Sequence, residues 1–320
     1  MSEPIEVLRA ENLVVRFPVG GRGRWIVPVD NINLTIHQAE SVGIVGESGS
    51  GKTTLGRTLV RILEPAKGRL HWHTHDVAHI RGRALRHYHA AVQMVFQDPF
   101  ASLNPARTVF DQVALPVRCH RRMSGAAQAD RVESLLDQVG LSPARDLREK
   151  YPHELSGGQR QRVAIARALA ADPQIIVADE PVSMLDVSIR AGILQLLTEL
   201  KEQLALSFVF ITHDLASARY FSTRIGVMYA GQLVEMATAA DITRRPLHPY
   251  TRLLMAASPG SGMKAPLPET TQGSPDLSAQ RRGCPFAPRC PLVMDRCRQA
   301  TVEFRWLADQ HGVACLRSEE

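Results

Sequence analysis

Gly46-Glu47-Ser48-Gly49-Ser50-Gly51-Lys52-Thr53 is the stretch on which the reading of this chain turns. It fits G-x-x-x-x-G-K-[ST], a phosphate-binding loop. The glycines let the backbone curl so that several N–H groups point inward at one anion. The apolar run Ser41 to Val45 before it reads as a buried strand, and Thr54 to Leu63 continues as a helix. The positive end of that helix faces the same anion. Lys52 is placed to reach the β- and γ-phosphates of a nucleotide, and the Thr53 hydroxyl to ligate Mg²⁺.

Upstream, Val14-Val15 and Ile32 to Ile36 read as paired strands joined by a loop around Gly20, Gly21 and Gly23. Downstream, Gln174 to Ala178 is an apolar strand that ends in Asp179-Glu180. Ile189 to Leu204 reads as a helix, and Ser207 to Thr212 as a buried strand that ends at His213. Strands alternating with helices predict an α/β core with a parallel sheet. The segment before Asp179, with a helix over Ala126 to Val139, reads as a subdomain inserted into that core.

An acid at a strand's end can hold Mg²⁺ through water, which is the role expected of Asp179. Glu180 beside it can polarise an attacking water as general base. Between these and the phosphate loop stands Leu155-Ser156-Gly157-Gly158-Gln159, opening a helix over Arg160 to Ala171. Chemically it is a second anion site: a hydroxyl, two small residues and a helix N-terminus. A chain that already has one phosphate loop has use for such a site if it caps the γ-phosphate held by another subunit. A plain serine N-cap is the bland alternative.

The totals bound the partners. The chain has 320 residues, a net charge of +6 and five cysteines. That length suggests one large domain with an appendage, or two domains. No apolar run reaches the ~18 residues that span a bilayer. The polar start MSEPIEVLRAENL shows no secretory signal, so a cytosolic chain is expected, with any membrane role supplied through a partner. The basic residues are scattered, which reads as a solvated surface and gives no case for nucleic acid. His71, His73 and His75 alternate as on one strand face, with His79, His87 and His89 nearby. They read as a solvated edge, a metal-binding strip being the other possibility.

After Gly231 the composition changes. Prolines interrupt the chain, and Ser258 to Gly283 reads as a linker or long loop. Cys284, Cys290, Cys297 and Cys315 are spaced C-x5-C-x6-C-x17-C, which is not a C-x2-C zinc pattern. Four thiolates suit a [4Fe–4S] cluster, which tolerates varied spacing. Zinc and packed free thiols are the alternatives. Cys119 stands apart and reads as a small buried apolar residue.

The order phosphate loop, Gln97, LSGGQ, Asp179-Glu180, His213 resembles the ATP-binding cassette (ABC) family over about residues 6–240. The resemblance implies a P-loop α/β cassette: a parallel-sheet core with antiparallel β and helical subdomains. The domains expected are residues 1–240, with a helical subdomain inserted at about 98–160, and a small Cys-containing extension at 241–320. It implies an ATPase with ATP and Mg²⁺ as ligands. Residues 46–53 and Thr54 hold the nucleotide, and Thr53, Gln97 and Asp179 hold the metal. Glu180, Gln97 and His213 carry catalysis, with Gln97 as the Q-loop glutamine and His213 as the switch histidine on the γ-phosphate. Ser156, Gly157, Gly158 and Gln159 face the partner's ATP. Ser183-Met184-Leu185-Asp186 resembles the D-loop, where the peptide branch more often has Ala in place of Met184. The family stacks adenine on an aromatic residue, for which Phe17 is the candidate and Trp25 the alternative.

QMVFQDPFASLNP around Gln97, PLHPYTRLLMAASP from Pro246 and the Cys-containing tail all resemble the di/oligopeptide importer branch. That branch implies a second, different ATPase subunit, two transmembrane permease subunits and an extracytoplasmic solute-binding protein. It also implies a peripheral position on the cytoplasmic face of the bacterial inner membrane. Some of its members carry a [4Fe–4S] cluster in this tail. Nickel, glutathione or another small solute is the alternative cargo, and a soluble non-transport ABC ATPase the remoter one.

Overall fold

A computed structural model describes residues 4–20, 24–257, 277–278, 282–307 and 310–319. Most of the expected linker, and Gly21 and Gly23 of the first loop, lie outside them. The chain divides into two compact units, residues 1–79 with 210–320 and residues 80–209.

The first unit opens with β1 (Glu6–Pro18) and β2 (Trp25–His37), antiparallel as expected, with Leu13 opposite Ile32 and Val15 opposite Val29. Burial alternates locally, at Leu13 and Val15 of β1 and at Ile32, Leu34 and Ile36 of β2, the period-2 signature of a sheet with one face on a core. β3 (Ser41–Val45) is buried at every position, and α1 (Lys52–Leu59) follows the phosphate loop. This helix is shorter than the run to Leu63 that the sequence suggests. Arg61 turns left-handed (φ 61°) and buries its guanidinium, donating from Nε to the Val77 carbonyl at 2.7 Å. β4 (Lys67–Trp72) and β5 (His75–Asp76) complete a four-stranded antiparallel sheet in the order β2-β1-β4-β5. A turn at His73 (φ 51°) separates β4 from β5, so His71, His73 and His75 do not share one strand face. His71 pairs with Glu11 and His79 with Glu64.

The second unit contains α2 (Gly82–Ala91), β6 (Val92–Val95), α3 (Pro99–Ser102), α4 (Val109–Pro116), α5 (Gly125–Gln138) and α6 (Ala144–Arg148). Then come α7 (Gly157–Leu169), β7 (Ile175–Asp179) and α8 (Val187–Leu204), with β8 (Ser207–Thr212) at its end. β6 and β7 pair in parallel, and the strand order here is β8-β7-β6. β7 is buried throughout, as a strand covered on both faces must be. Cys119 is exposed and not buried as expected. It lies on the π-helical turn Val117–Arg121, which buries only Val117.

The first unit resumes with α9 (Leu215–Phe221), β9 (Arg224–Tyr229), β10 (Gln232–Thr238), α10 (Ala239–Arg244) and α11 (Pro249–Ala257). The chain ends with α12 (Asp295–Gln299), β11 (Arg305–Trp306) and β12 (Gly312–Val313). β3 pairs with β9 in parallel, and β9, β10, β12 and β11 then pair antiparallel in turn. The extension is therefore built into the sheet of its unit and is not a pendant tail. Its Phe286 packs against Tyr229 and Tyr250, with ring centroids at 5.2 and 5.4 Å.

Candidate nucleotide site

The phosphate loop leaves the C-terminal end of β3 and enters α1. Gly51 caps that helix with φ 104°, a left-handed conformation that L side chains rarely adopt. A Cβ there would meet the Pro28 carbonyl oxygen at 1.8 Å. Backbone approaches this close leave no alternative to glycine. Ser50 and Lys52 are buried. The Lys52 ammonium donates to the carbonyls of Gly46 (2.7 Å) and Glu47 (2.9 Å), which holds the loop curled around the cation. A lysine charge set at a helix N-terminus is an arrangement able to attract phosphate oxygens.

Two contacts to this loop come from residues that the sequence does not single out. The Glu47 N–H donates to the Tyr250 hydroxyl at 2.8 Å. Arg289 donates through both terminal nitrogens to the Glu47 carboxylate, at 2.7 and 2.9 Å. Tyr250 lies inside the PLHPYTR run and Arg289 between two cysteines, but neither spacing points to the loop. Burial raises the pKa of Tyr250, so its hydroxyl stays neutral.

In the second unit, Asp179 closes β7 and is buried. Glu180 follows in the left-handed region (φ 46°), unusual for a residue with a Cβ. Its carbonyl accepts from Ser183 N–H at 3.2 Å and from the Ser183 hydroxyl at 3.0 Å. Gln97 donates from Nε2 to Glu180 Oε2 at 3.2 Å. Two of the side chains to which the family resemblance gives a catalytic role are thus brought together.

Ser156 caps α7. Its hydroxyl accepts from the Gln159 N–H at 3.2 Å, and Gln159 Oε1 accepts from the Ser156 N–H at 3.0 Å. This is a full capping box, which is the serine-cap alternative realised in the structure. Gly158 packs under Ile189, where a Cβ would lie 2.7 Å from Cγ2. Asp186 stands at the N-cap of α8 without a side-chain cap bond, and Met184 beside it is exposed.

His213 follows β8 and is exposed, ahead of Asp214, which caps α9 by accepting from the N–H groups of Ala216 and Ser217. Of the aromatic candidates, Phe17 is half-buried opposite Ile26. Trp25 is more open, and the Arg16 guanidinium lies 4.7 Å from its ring centroid.

Cys284, Cys290, Cys297 and Cys315 are free thiols that line one small apolar cavity with Phe286, Ala287, Leu292 and Leu316. Burial pushes the Cys284 thiol up to about 11 and raises that of Cys290. Among the described residues no three His, Cys, Asp or Glu side chains form a group able to hold a metal ion. The donor type agrees with the expected [4Fe–4S] cluster or zinc, but the grouping supports neither.

The ABC transporter family profile matches residues 29–183, and the oligopeptide/dipeptide transporter C-terminal region matches residues 234–297. The oligopeptide transport ATP-binding protein AppF of Bacillus subtilis is 41% identical over 292 residues, covering 90% of this chain and 88% of that protein. This chain belongs to the ABC transporter family. A probable peptide ABC transporter ATP-binding protein of Sinorhizobium fredii is 40% identical over 316 residues, covering 97% of this ABC chain and 89% of the relative. The ATP-binding cassette MJ0796, solved as a dimer in a post-hydrolysis state with ADP and Pi, superposes with a TM-score of 0.66 at 32% identity. It covers 72% of this chain and 98% of that one. The P-loop ABC fold and ATP hydrolysis expected from the motifs follow from that membership. Among the described residues no helix is long and apolar enough to cross a membrane.

Proposed function

We propose that this ABC ATPase powers import of di- or oligopeptides as a peripheral subunit on the cytoplasmic face of the inner membrane. Its partners would be two permease subunits, an extracytoplasmic solute-binding protein and a second, different ATPase subunit. The observation that carries the peptide reading is the extension. The peptide-transporter C-terminal region matches 234–297, and that stretch begins in β10 and runs through the thiol cavity. Cargo is selected by companion chains, so the reading is tested by purifying the complex from membranes and measuring ATP-dependent uptake. Peptide uptake is expected; nickel or glutathione uptake without peptide uptake would replace the cargo assignment.

In this reading residues 1–240 form the cassette, with its helical insertion at about 98–160, and 241–320 the extension. Lys52 and the loop N–H groups bind the β- and γ-phosphates of ATP, and Phe17 stacks on adenine. Thr53, Asp179 and Gln97 would hold Mg²⁺, which neutralises charge between the phosphates when bound; a buried acid at a strand end suits that role. Glu180 takes the proton of the attacking water while Gln97 holds the carboxylate in place. His213 steadies the γ-phosphate. Ser156, Gly157, Gly158 and Gln159 present the N-terminus of α7 to ATP on the opposing subunit, with Asp186 as the D-loop acid. Closing of two cassettes on ATP drives the permease, and hydrolysis resets it.

The four thiols are read as packed free thiols: they line one apolar cavity, and among the described residues no three donors group to hold a metal ion. Protein prepared without oxygen should then be colourless and free of iron. About four irons per chain with absorption near ~400 nm would replace packed thiols by the [4Fe–4S] cluster.

A further inference from the structure

Glu47 and Arg289 lie 242 residues apart in sequence, and no feature of the loop motif calls for an arginine. Yet Arg289 makes the two-pronged contact that a guanidinium fork makes with a carboxylate. Three further features fix the fork in place. Arg289 ends the 3-10 turn Ala287–Arg289, where its N–H donates to the Phe286 carbonyl at 2.9 Å. Its guanidinium carbon sits 5.8 Å from the Tyr229 ring centroid and 6.0 Å from that of Phe286. The turn is bounded by two cavity thiols, since Ala287 donates its N–H to the Cys284 carbonyl at 3.0 Å and Cys290 follows directly. On the loop side, the same residue is held from its backbone by Tyr250, whose ring lies 4.7 Å from that of Tyr229. Glu47 is therefore gripped at both side chain and N–H by the C-terminal part of the chain, while its carbonyl accepts from Lys52.

We propose that Arg289 is a positioning residue for ATP binding: through Glu47 it sets the curl of the phosphate loop, so the docked extension tunes the nucleotide affinity of its own subunit. Arg289 acts through Glu47 and needs no contact with the nucleotide. The inference rests on residues 46–53 being the phosphate loop.

The test uses the full chain assembled with its natural companion subunits, with KM for ATP and kcat measured separately, and the affinity of the isolated full chain for a fluorescent ATP analogue. Arg289→Met, which keeps the stem but loses the fork, should raise KM and the analogue Kd about five- to tenfold, with the change falling on KM more than on kcat. Arg289→Lys should recover only part of this, because an ammonium cannot make the paired bond. Glu47→Gln leaves the extension untouched and should reproduce the loss. The double variant should be no worse than either single one, as expected of residues that act as a unit. KM values within twofold of wild type in both single variants, or losses that multiply in the double, would overturn the proposal. If Arg289→Met fails to fold, Glu47→Gln and the Lys variant still decide it. Wild-type nucleotide binding by Lys52→Ala would instead remove the phosphate-loop assignment itself.

Discussion

Gln97 Nε2 donates to Glu180 Oε2 at 3.2 Å, joining two side chains 83 residues apart within the unit of residues 80–209. Glu180 sits at φ 46°, a conformation that costs on the order of 1–3 kcal/mol for a residue with a Cβ. Ser183 offsets that cost with two hydrogen bonds to its carbonyl. A strained backbone with an amide clamped to the carboxylate fixes where that carboxylate points, which is what a base acting on one water requires.

Glu180→Gln keeps the shape and can still meet Gln97, but an amide cannot take a proton. Turnover should fall by at least about 100-fold, the usual scale of general-base catalysis, while ATP binding stays within a few-fold of wild type. Phosphate release and nucleotide binding measured on the same preparation check this. Turnover at the wild-type rate would remove Glu180 from its role.

Gly51 is tied to the loop by backbone alone. Gly51→Ala forces a Cβ to within 1.8 Å of the Pro28 carbonyl oxygen at φ 104°. Backbone cannot swing away as a side chain could, so the loop or β2 must shift. The expected result is a loss of roughly 2–4 kcal/mol of stability, combining left-handed strain with overpacking. Nucleotide binding should weaken severely in whatever fraction folds. Denaturant unfolding and analogue binding give the two readouts. A variant as stable as wild type would show that the approach to Pro28 relaxes without cost.

These two sites differ in how readable they are. Lys52, Asp179, Glu180 and Ser156 announce themselves because their chemistry needs fixed neighbours in sequence: a glycine turn, a strand end, a helix start. The same local logic correctly yields β3, β7, β8 and the β1–β2 pair. It fails where a partner is remote. The end of α1 depends on Arg61 reaching Val77, and the grip on Glu47 depends on Tyr250 and Arg289. Cys119 follows the usual burial of cysteine and is misread, because the turn that carries it buries only one residue. Alternation suggested one strand for His71, His73 and His75, but a left-handed residue interrupts it.

Glu235 on β10 is wholly buried and accepts three hydrogen bonds: from the N–H of Leu247 (2.8 Å), the N–H of His248 (2.9 Å) and His311 Nε2 (2.7 Å). One carboxylate thereby ties β10 to the start of α11 and to the chain entering β12. Glu235→Ala leaves three buried donors without that acceptor and should cost about 3–5 kcal/mol. Because the lost bonds all belong to the C-terminal part, limited proteolysis should cut the variant after residue 246 before the cassette unfolds. Cleavage and stability matching wild type would show that water replaces the carboxylate fully.

His248 supplies a pH dependence whose sign is set by geometry. Its Nδ1 accepts the Tyr250 N–H at 3.1 Å, which requires that nitrogen to be unprotonated. Burial lowers its pKa from the ordinary 6.5 to about 4, with nearby Glu235 pulling weakly the other way. The unfolded chain therefore binds a proton below about pH 6.5 that the folded chain refuses until about pH 4. The stability contributed is complete above pH 6.5, is lost as pH falls through this window, and changes no further below it. The full loss is of order 3 kcal/mol, with a limiting slope of about 1.4 kcal/mol per pH unit. His248→Asn keeps an acceptor near the Nδ1 position and has nothing to protonate. Its unfolding free energy should start lower, because the smaller side chain packs less well against Phe286, but decline less steeply between pH 6.5 and 4. Denaturant unfolding of both proteins at half-unit pH steps reads the difference in slope directly. Parallel curves would mean that His248 takes up its proton in the folded chain as readily as in the unfolded one.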